Sequence, residues 1–373
     1  MPNANNAEAA LTRRYICAPC LALRKRVGDH PNVKLYRVHR YGAPDVLRLE
    51  DAAEPAPPAG HVRVASRAIA INFADLVQRT GHYPRQPGLP FTPGMEASGV
   101  IDAVGDGVPA DMIGRRVMAV PIYGSHAEKI CLPAAYAMDM PDWADFAEGA
   151  AFPVMFLTAW YALHELGRAR EGERVVVTAA AGGVGTALLQ LARRAGLRTM
   201  AVIGSPAKRD LVRDLGADLV ASYDDCADQV RRAWGKADLV LDAVGGTLFR
   251  PLWRSLDLSG RYVLFGFAEA IAPRGVSYLR AARGLLSMGL LRPYALVGAN
   301  RTVAGFNLSV VPDQVPLLRR NAAALLELWR EGHIRPVLGE RFAFADLPAA
   351  HRHVASRRSV GRVVVDVAGD PAS

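Results

Sequence analysis

The stretch Val175-Val176-Val177-Thr178-Ala179-Ala180-Ala181-Gly182-Gly183-Val184-Gly185 decides the fold of this chain. Three consecutive valines suit a buried strand, and the run from Ala187 to Ala192 suits a helix packed on it. The turn between them reads Ala180-x-Gly182-x-x-Gly185. A dinucleotide fingerprint needs a small residue for the tight turn, a position without a side chain where backbone meets pyrophosphate, and a third small residue where helix packs on strand. Alanine takes the first place, so the pattern alone is weaker than three glycines, and a tight strand-to-helix turn with no ligand is the competing reading. On the fingerprint reading, Gly182, Gly183, Val184 and Gly185 present backbone to the phosphates at a helix N-terminus.

The next strand, Thr199 to Ile203, ends at Gly204, about 20 residues after the glycines, where an NAD-binding chain sets an acid against the ribose 2′-hydroxyl. No acid stands there. The segment Gly204-Ser205-Pro206-Ala207-Lys208-Arg209 offers instead a hydroxyl and two cations to a 2′-phosphate, which predicts NADPH over NADH; ordinary solvated loop charges are the alternative.

At 373 residues the chain is long enough for two domains, and 51% hydrophobic with 22% charged residues reads as a soluble globular protein. Its longest uncharged apolar stretch, Gly149 to Leu163, is interrupted by Pro153 and falls short of the roughly 18 residues a bilayer span needs, so no transmembrane segment is expected. Residues 1–32 lack the apolar core of a secretory signal, and a cytoplasmic protein is the default; the first acid is Glu8, with Arg13, Arg14 and Arg24 following, as in mitochondrial presequences. The net charge of +9 is spread along the chain, which argues against nucleic acid and suits an anionic cofactor. Cys17 and Cys20 form a lone C-x-x-C with no second pair to complete a zinc site, and Cys131 and Cys226 stand apart, so no metal is expected and a reducing compartment fits.

Residues 1–32 read as a poorly ordered extension. From Val33 to about Pro133 the texture is short strands and glycine-punctuated turns, with His61 to Ala65 alternating as a half-exposed strand does. From Pro153 to about Leu308 strands alternate with helices. Strands are predicted at 174–178, 199–203, 218–221, 238–242, 261–265 and 302–306, the rhythm of a doubly wound parallel sheet. A helix from Leu317 to Arg330, Phe342-Ala343-Phe344 and a strand from Arg362 to Asp366 are assigned back to the first domain.

With both halves placed, residues 33–367 resemble the medium-chain dehydrogenase/reductase superfamily. The marks are Asn72-Phe73-Ala74-Asp75 followed by Arg79, Gly81 and Tyr83; Pro93-Gly94-Met95-Glu96-x-x-Gly99; Ala127-Glu128; Leu157-Thr158-Ala159; and Ala180 to Gly185. Within it the chain is similar to the zinc-free quinone oxidoreductase and enoyl reductase branch. Ala299 to Leu308 and Gly332-His333-Ile334-Arg335-Pro336 look most like the synaptic-vesicle amine-transport-protein-like quinone oxidoreductases. The resemblance implies an α/β fold made of a GroES-like β-rich catalytic domain (33–153 and 311–373) and a Rossmann NADPH-binding domain (154–310). It also implies a homodimer.

The departures from the zinc alcohol dehydrogenases bear on the chemistry. Asn72 stands where that family places its first catalytic cysteine and Met95 where it places the histidine of Gly-His-Glu, and neither supplies a thiolate or imidazole for zinc. The four-cysteine structural lobe is also missing between Val108 and Pro133. Without a Lewis acid, hydride transfer suits a conjugated acceptor, whose developing anion needs only hydrogen-bond donors.

By resemblance Tyr83, in Gly81-His82-Tyr83-Pro84, is the proton donor, the alternative being a loop tyrosine that shapes the pocket. Asn72 is placed beside the nicotinamide ribose and counted with Tyr83 as catalytic, or else caps a helix. Thr158 is placed near the nicotinamide, opening the helix into the cofactor domain. Tyr223 packs by the adenosine, Phe265 belongs to the cofactor set, and Arg357 lies near the adenosine phosphate, where Arg358 would serve equally. His126, His164, His333, His351 and His353 sit in no site motif and read as surface or packing residues.

The reading is therefore a zinc-independent NADPH-dependent reductase acting on a small-molecule quinone or on the β-carbon of an α,β-unsaturated carbonyl. The rival is a nucleotide-binding lipid or membrane adaptor, suggested by Leu279 to Leu291, where Arg280 and Arg283 sit among leucines. A lid or dimer contact explains the same residues.

Overall fold

The computed structural model describes residues 32–84, 86–272, 275–291, 293–308 and 315–367. The expected extension and the Cys17/Cys20 pair lie outside them. Among the described residues the chain divides into two compact units, one of residues 32–154, 275 and 338–367, the other of residues 155–272 and 276–337.

In the first unit β1 (Asn32–Val38) and β2 (Leu47–Ala53) form an antiparallel hairpin. A larger sheet is built from β3 (His61–Ile71), β4 (Ala97–Val104), β5 (Arg116–Ala119), β6 (Lys129–Pro133) and β7 (Ala137–Asp139). β3 alternates between buried and half-buried positions in its first half and is buried throughout from Ala68, the pattern of a strand that enters the core as it runs. Helix α1 (Phe73–Arg79) follows it directly.

Helix α2 (Phe146–Trp160) carries Pro153 in its interior and runs on as a π-helical turn to Leu166. By length and composition Phe146–Leu166 would cross a membrane, but 78% of its apolar window is buried inside the fold, as in a core helix.

The second unit is a six-stranded parallel sheet: β8 (Arg174–Val177), β9 (Arg198–Ile203), β10 (Leu219–Ser222), β11 (Ala237–Asp242), β12 (Leu256–Leu264) and β13 (Thr302–Gly305), in the order β10-β9-β8-β11-β12-β13. Strand order therefore reverses between β8 and β11, the switch point outside whose C-terminal strand ends ligands bind in such sheets. Val175, Val176 and Val177 are fully buried, each contributing about 1.5–3 kcal/mol of apolar burial. Helices α3 (Gly183–Arg194), α4 (Arg209–Asp214), α5 (Cys226–Trp234) and α6 (Phe249–Ser255) connect the strands, and α7 (Tyr278–Met288) and α8 (Pro293–Ala299) precede β13.

Helix α9 (Val315–Arg330) belongs to this second unit, not to the first as the sequence suggested. Leu325 and Trp329 are buried, Arg320 pairs with Glu165, and the Gln190 side chain exchanges two hydrogen bonds with the Arg335 backbone just beyond. Only then do β14 (Leu338–Ala343), helix α10 (Leu347–Ala355) and β15 (Arg362–Asp366) return to the first sheet, in the order β14-β15-β3-β4-β5-β7 with β6 also on β3.

Candidate cofactor cradle and buried polar site

The glycine turn has the geometry the fingerprint demands. Ala179 adopts φ 49°, a left-handed turn position that costs a non-glycine residue about 1 kcal/mol or more. Gly182 is the N-cap of α3 without a side-chain cap, so the first-turn N–H groups of Gly183, Val184 and Gly185 have no intrahelical acceptor and point to where an anion would sit. A Cβ on Gly185 would stand 2.3 Å from the Ala179 carbonyl oxygen and 2.6 Å from the Ala180 Cα, which is why helix and strand meet only over glycine.

The other cofactor candidates of this unit gather at the same edge, the C-terminal ends of the parallel strands. Gly204 follows β9, with Ser205 at the N-cap position of the short turn Pro206–Lys208, making no side-chain cap, and Arg209 opening α4. Tyr223 follows β10. Phe265 follows β12 and its ring lies 5.9 Å from that of Phe306, which in turn meets Tyr161 at 4.8 Å. Thr158 also lies in this unit, but near the C-terminal end of α2, so it does not open a helix as the sequence suggested.

The sequence reading missed Asp242. Fully buried at the end of β11, its carboxylate accepts hydrogen bonds from Thr178 Oγ1 at 2.7 Å, Tyr262 Oη at 2.6 Å, and the N–H groups of Val244 and Gly245 at 2.8 and 3.0 Å. Four donors satisfy the carboxyl group and fix the Gly245-Gly246 turn beside the switch point, where both glycines have positive φ. An acid ending the apolar run Leu239-Val240-Leu241 was the available signal, since a carboxylate in a core strand needs such partners.

In the first unit Asn72 is the N-cap of α1, so the capping role weighed for it is real. Its N–H donates to Asp75 Oδ2 at 2.7 Å and its Nδ2 to Glu96 Oε1 at 2.8 Å. Glu96, quoted in the Gly94-Met95-Glu96 motif but given no role, is the centre of the site. It is fully buried, accepts the Val154 N–H at 2.9 Å and pairs with Arg362. Burial pushes the Arg362 guanidinium down to about 10, against the opposing pull of Asp75.

Next to this pair lie two histidines. His126 and His351 are fully buried, with rings 5.1 Å apart and perpendicular, and His126 Nε2 stands 3.7 Å from Asp75 Oδ2. They are packing residues, and neither is at the surface. Burial first, and then the neighbouring His126 and Arg79, holds His351 well below the usual imidazole range.

Tyr83 is nearly buried, its ring edge-on to Tyr123 at 6.3 Å, and its hydroxyl donates to Met95 Sδ at 3.9 Å. Arg357 is exposed in the same unit, just past α10, at φ 60°. Among the described residues no group of three or more His, Cys, Asp and Glu side chains is placed to hold a metal ion.

Comparison with known proteins agrees with both halves. Residues 58–151 match the alcohol dehydrogenase GroES-like domain family and residues 215–365 the zinc-binding dehydrogenase family. The chain is 34% identical over 330 residues to the synaptic vesicle membrane protein VAT-1 homolog of Rattus norvegicus, covering 87% of this chain and 82% of that protein. It is 32% identical over 333 residues to a quinone oxidoreductase of Pseudomonas aeruginosa, covering 87% and 97%. The quinone oxidoreductase of Thermus thermophilus, solved alone and with NADPH, superposes with a TM-score of 0.75 at 34% identity, covering 90% of this chain and 100% of that one.

Proposed function

This chain belongs to the medium-chain dehydrogenase/reductase superfamily, in its VAT-1-like quinone oxidoreductase branch, and from that premise we propose that it is a zinc-independent, NADPH-dependent reductase of quinones or α,β-unsaturated carbonyls. The observation that carries the reading is the edge of the parallel sheet, where an uncapped helix N-terminus over Gly182–Gly185 adjoins an acid-free, cationic loop at Gly204–Arg209. NADPH would supply the hydride.

In this reading the backbone of Gly182 to Gly185 holds the pyrophosphate, and Ser205, Lys208 and Arg209 hold the 2′-phosphate. Tyr223 and Arg357 serve the adenosine end, while Asn72, Thr158 and Phe265 serve the nicotinamide end. Hydride arriving at the β-carbon of an enone leaves an enolate that takes a proton at its α-carbon, from Tyr83 or from water; a quinone takes its proton on oxygen. An adaptor with the same nucleotide site would bind NADPH and consume none when offered these acceptors.

Lys208→Ala should raise the NADPH dissociation constant roughly tenfold, the about 1.4 kcal/mol of one charge-assisted contact, and barely change that for NADH. Titration of cofactor fluorescence measures both. Equal losses would remove the basis for 2′-phosphate recognition.

Because Asn72 and Met95 replace the zinc ligands, the purified protein should contain no stoichiometric zinc and keep its activity under chelation. Elemental analysis finding one zinc per chain, with activity lost on chelation, would overturn the mechanism.

A homodimer in the cytoplasm completes the proposal. Leu279, Leu285, Leu286, Leu290, Tyr294 and Val297 are exposed on and around α7 and α8, and β13 is the edge strand of the sheet beside them. An apolar patch next to an unpaired strand edge suits a second copy. Cys131 and Cys226 are free and buried, which suits a reducing compartment.

A further inference from the structure

β9 and β10 run parallel with Ser222 opposite Ile203, so the residues that follow, Gly204 and Tyr223, leave the sheet side by side. Gly204 is not a glycine that its backbone requires, because its φ lies outside the positive range that excludes side chains. What a side chain there would meet is Tyr223. A Cβ on Gly204 would stand 3.2 Å from Tyr223 Cε2 and 3.8 Å from Cδ2, with no other heavy atom of the described residues within 4 Å. The first distance is tighter than ordinary van der Waals contact, and any longer side chain must move the ring or bend round it. The half-buried Tyr223 packs against the cluster containing Val202, Ala221 and Cys226, and its backbone carbonyl accepts the Cys226 thiol at 3.4 Å.

We propose that Tyr223 is a specificity-determining residue that acts by exclusion. Its ring fills the space a side chain at position 204 needs, and that is the position from which a dinucleotide-binding chain directs an acid at the ribose 2′-hydroxyl. The acid is shut out, and the loop is left to Ser205, Lys208 and Arg209. This inference rests on the NADPH reading of that loop and adds to it a coupling between two positions. An acid introduced at 204 does not by itself produce NADH binding, because Tyr223 must give way first.

The test is a double-substitution cycle on cofactor affinity, read by NADPH and NADH fluorescence titration of the wild type, Gly204→Asp, Tyr223→Ala and the double variant, with a melting curve for each. The wild type should prefer NADPH. Gly204→Asp should weaken NADPH binding by about tenfold, through a like charge beside the phosphate, and leave NADH binding within about twofold of wild type. Because Tyr223→Ala also removes a contact to the adenosine, the gain is read within each background: the double variant should bind NADH about tenfold more tightly than Tyr223→Ala does, whereas Gly204→Asp gains nothing over the wild type. If the aspartate raises NADH affinity equally in both backgrounds, or raises it in neither, exclusion by Tyr223 is refuted while the NADPH reading stands. Equal binding of both cofactors by the wild type would instead refute the NADPH reading, and this proposal with it. Should the aspartate variant not fold, Gly204→Ala carries the same test: the methyl group alone meets the ring, its loss of melting temperature should vanish in the Tyr223→Ala background, and a loss that persists there contradicts the proposal.

Discussion

Tyr83→Phe should lower turnover with an enone by roughly hundredfold, the scale of a positioned proton donor, and leave NADPH binding unchanged. The substitution keeps the ring against Tyr123 and removes only the hydroxyl that meets Met95 Sδ. Packing therefore changes little, and the loss reports the proton. A quinone acceptor should suffer less, because its reduced anion is more stable and water protonates it readily. Steady-state turnover with one acceptor of each class checks this. If both survive within about twofold, well below the scale of general acid catalysis, Tyr83 is a wall of the pocket and the proton comes from solvent.

The second large effect concerns stability. Glu96→Leu should destabilise the β-rich unit by about 3–5 kcal/mol, because it leaves the Arg362 guanidinium buried without its carboxylate and orphans two more donors, Asn72 Nδ2 and the Val154 N–H. Pairing it with Arg362→Met should restore a large part of the loss, since the charge that suffers is then gone. Urea unfolding of the single and double variants gives the comparison. A single variant within about 1 kcal/mol of wild type, the scale of an exposed ion pair, would mean that Glu96 holds nothing in place.

Much of the second unit was legible because a parallel sheet buried on both faces writes itself as apolar runs separated by turns. All six predicted strands are present, and Gly182 and Gly185 stand where the fingerprint needs them. Elements whose assignment depends on distant partners were not legible. Helix α9 looks the same in sequence whichever unit it joins, and Glu165 and Gln190, which hold its two ends, lie more than a hundred residues away. Pro153 interrupts an apolar run in the sequence, yet it lies inside α2, and the N–H after it donates to Glu96.

The same limit applied to the candidate site. Asn72, Met95 and Glu96 were visible as a motif, but that Glu96 ties α1, α2 and β15 together through Asn72, Val154 and Arg362 is a fact of packing. His126 and His351 are 225 positions apart in the chain, and nothing local marks them as ring neighbours. Gly204 was legible in the sequence as the absence of an acid after β9. Why glycine stands there required the ring of Tyr223.

The central claim is that the cradle at Gly182–Gly185 and the cationic loop at Gly204–Arg209 serve hydride transfer to a conjugated acceptor. Its most direct test is the consumption of NADPH, followed by absorbance, when the purified protein is offered a panel of quinones and enones beside saturated ketones as controls. The account predicts turnover with members of the conjugated classes, none with the saturated ketones, and a rate that falls when NADH replaces NADPH. NADPH that binds but is not consumed with any member of the panel would contradict it and leave the chain a nucleotide-binding adaptor.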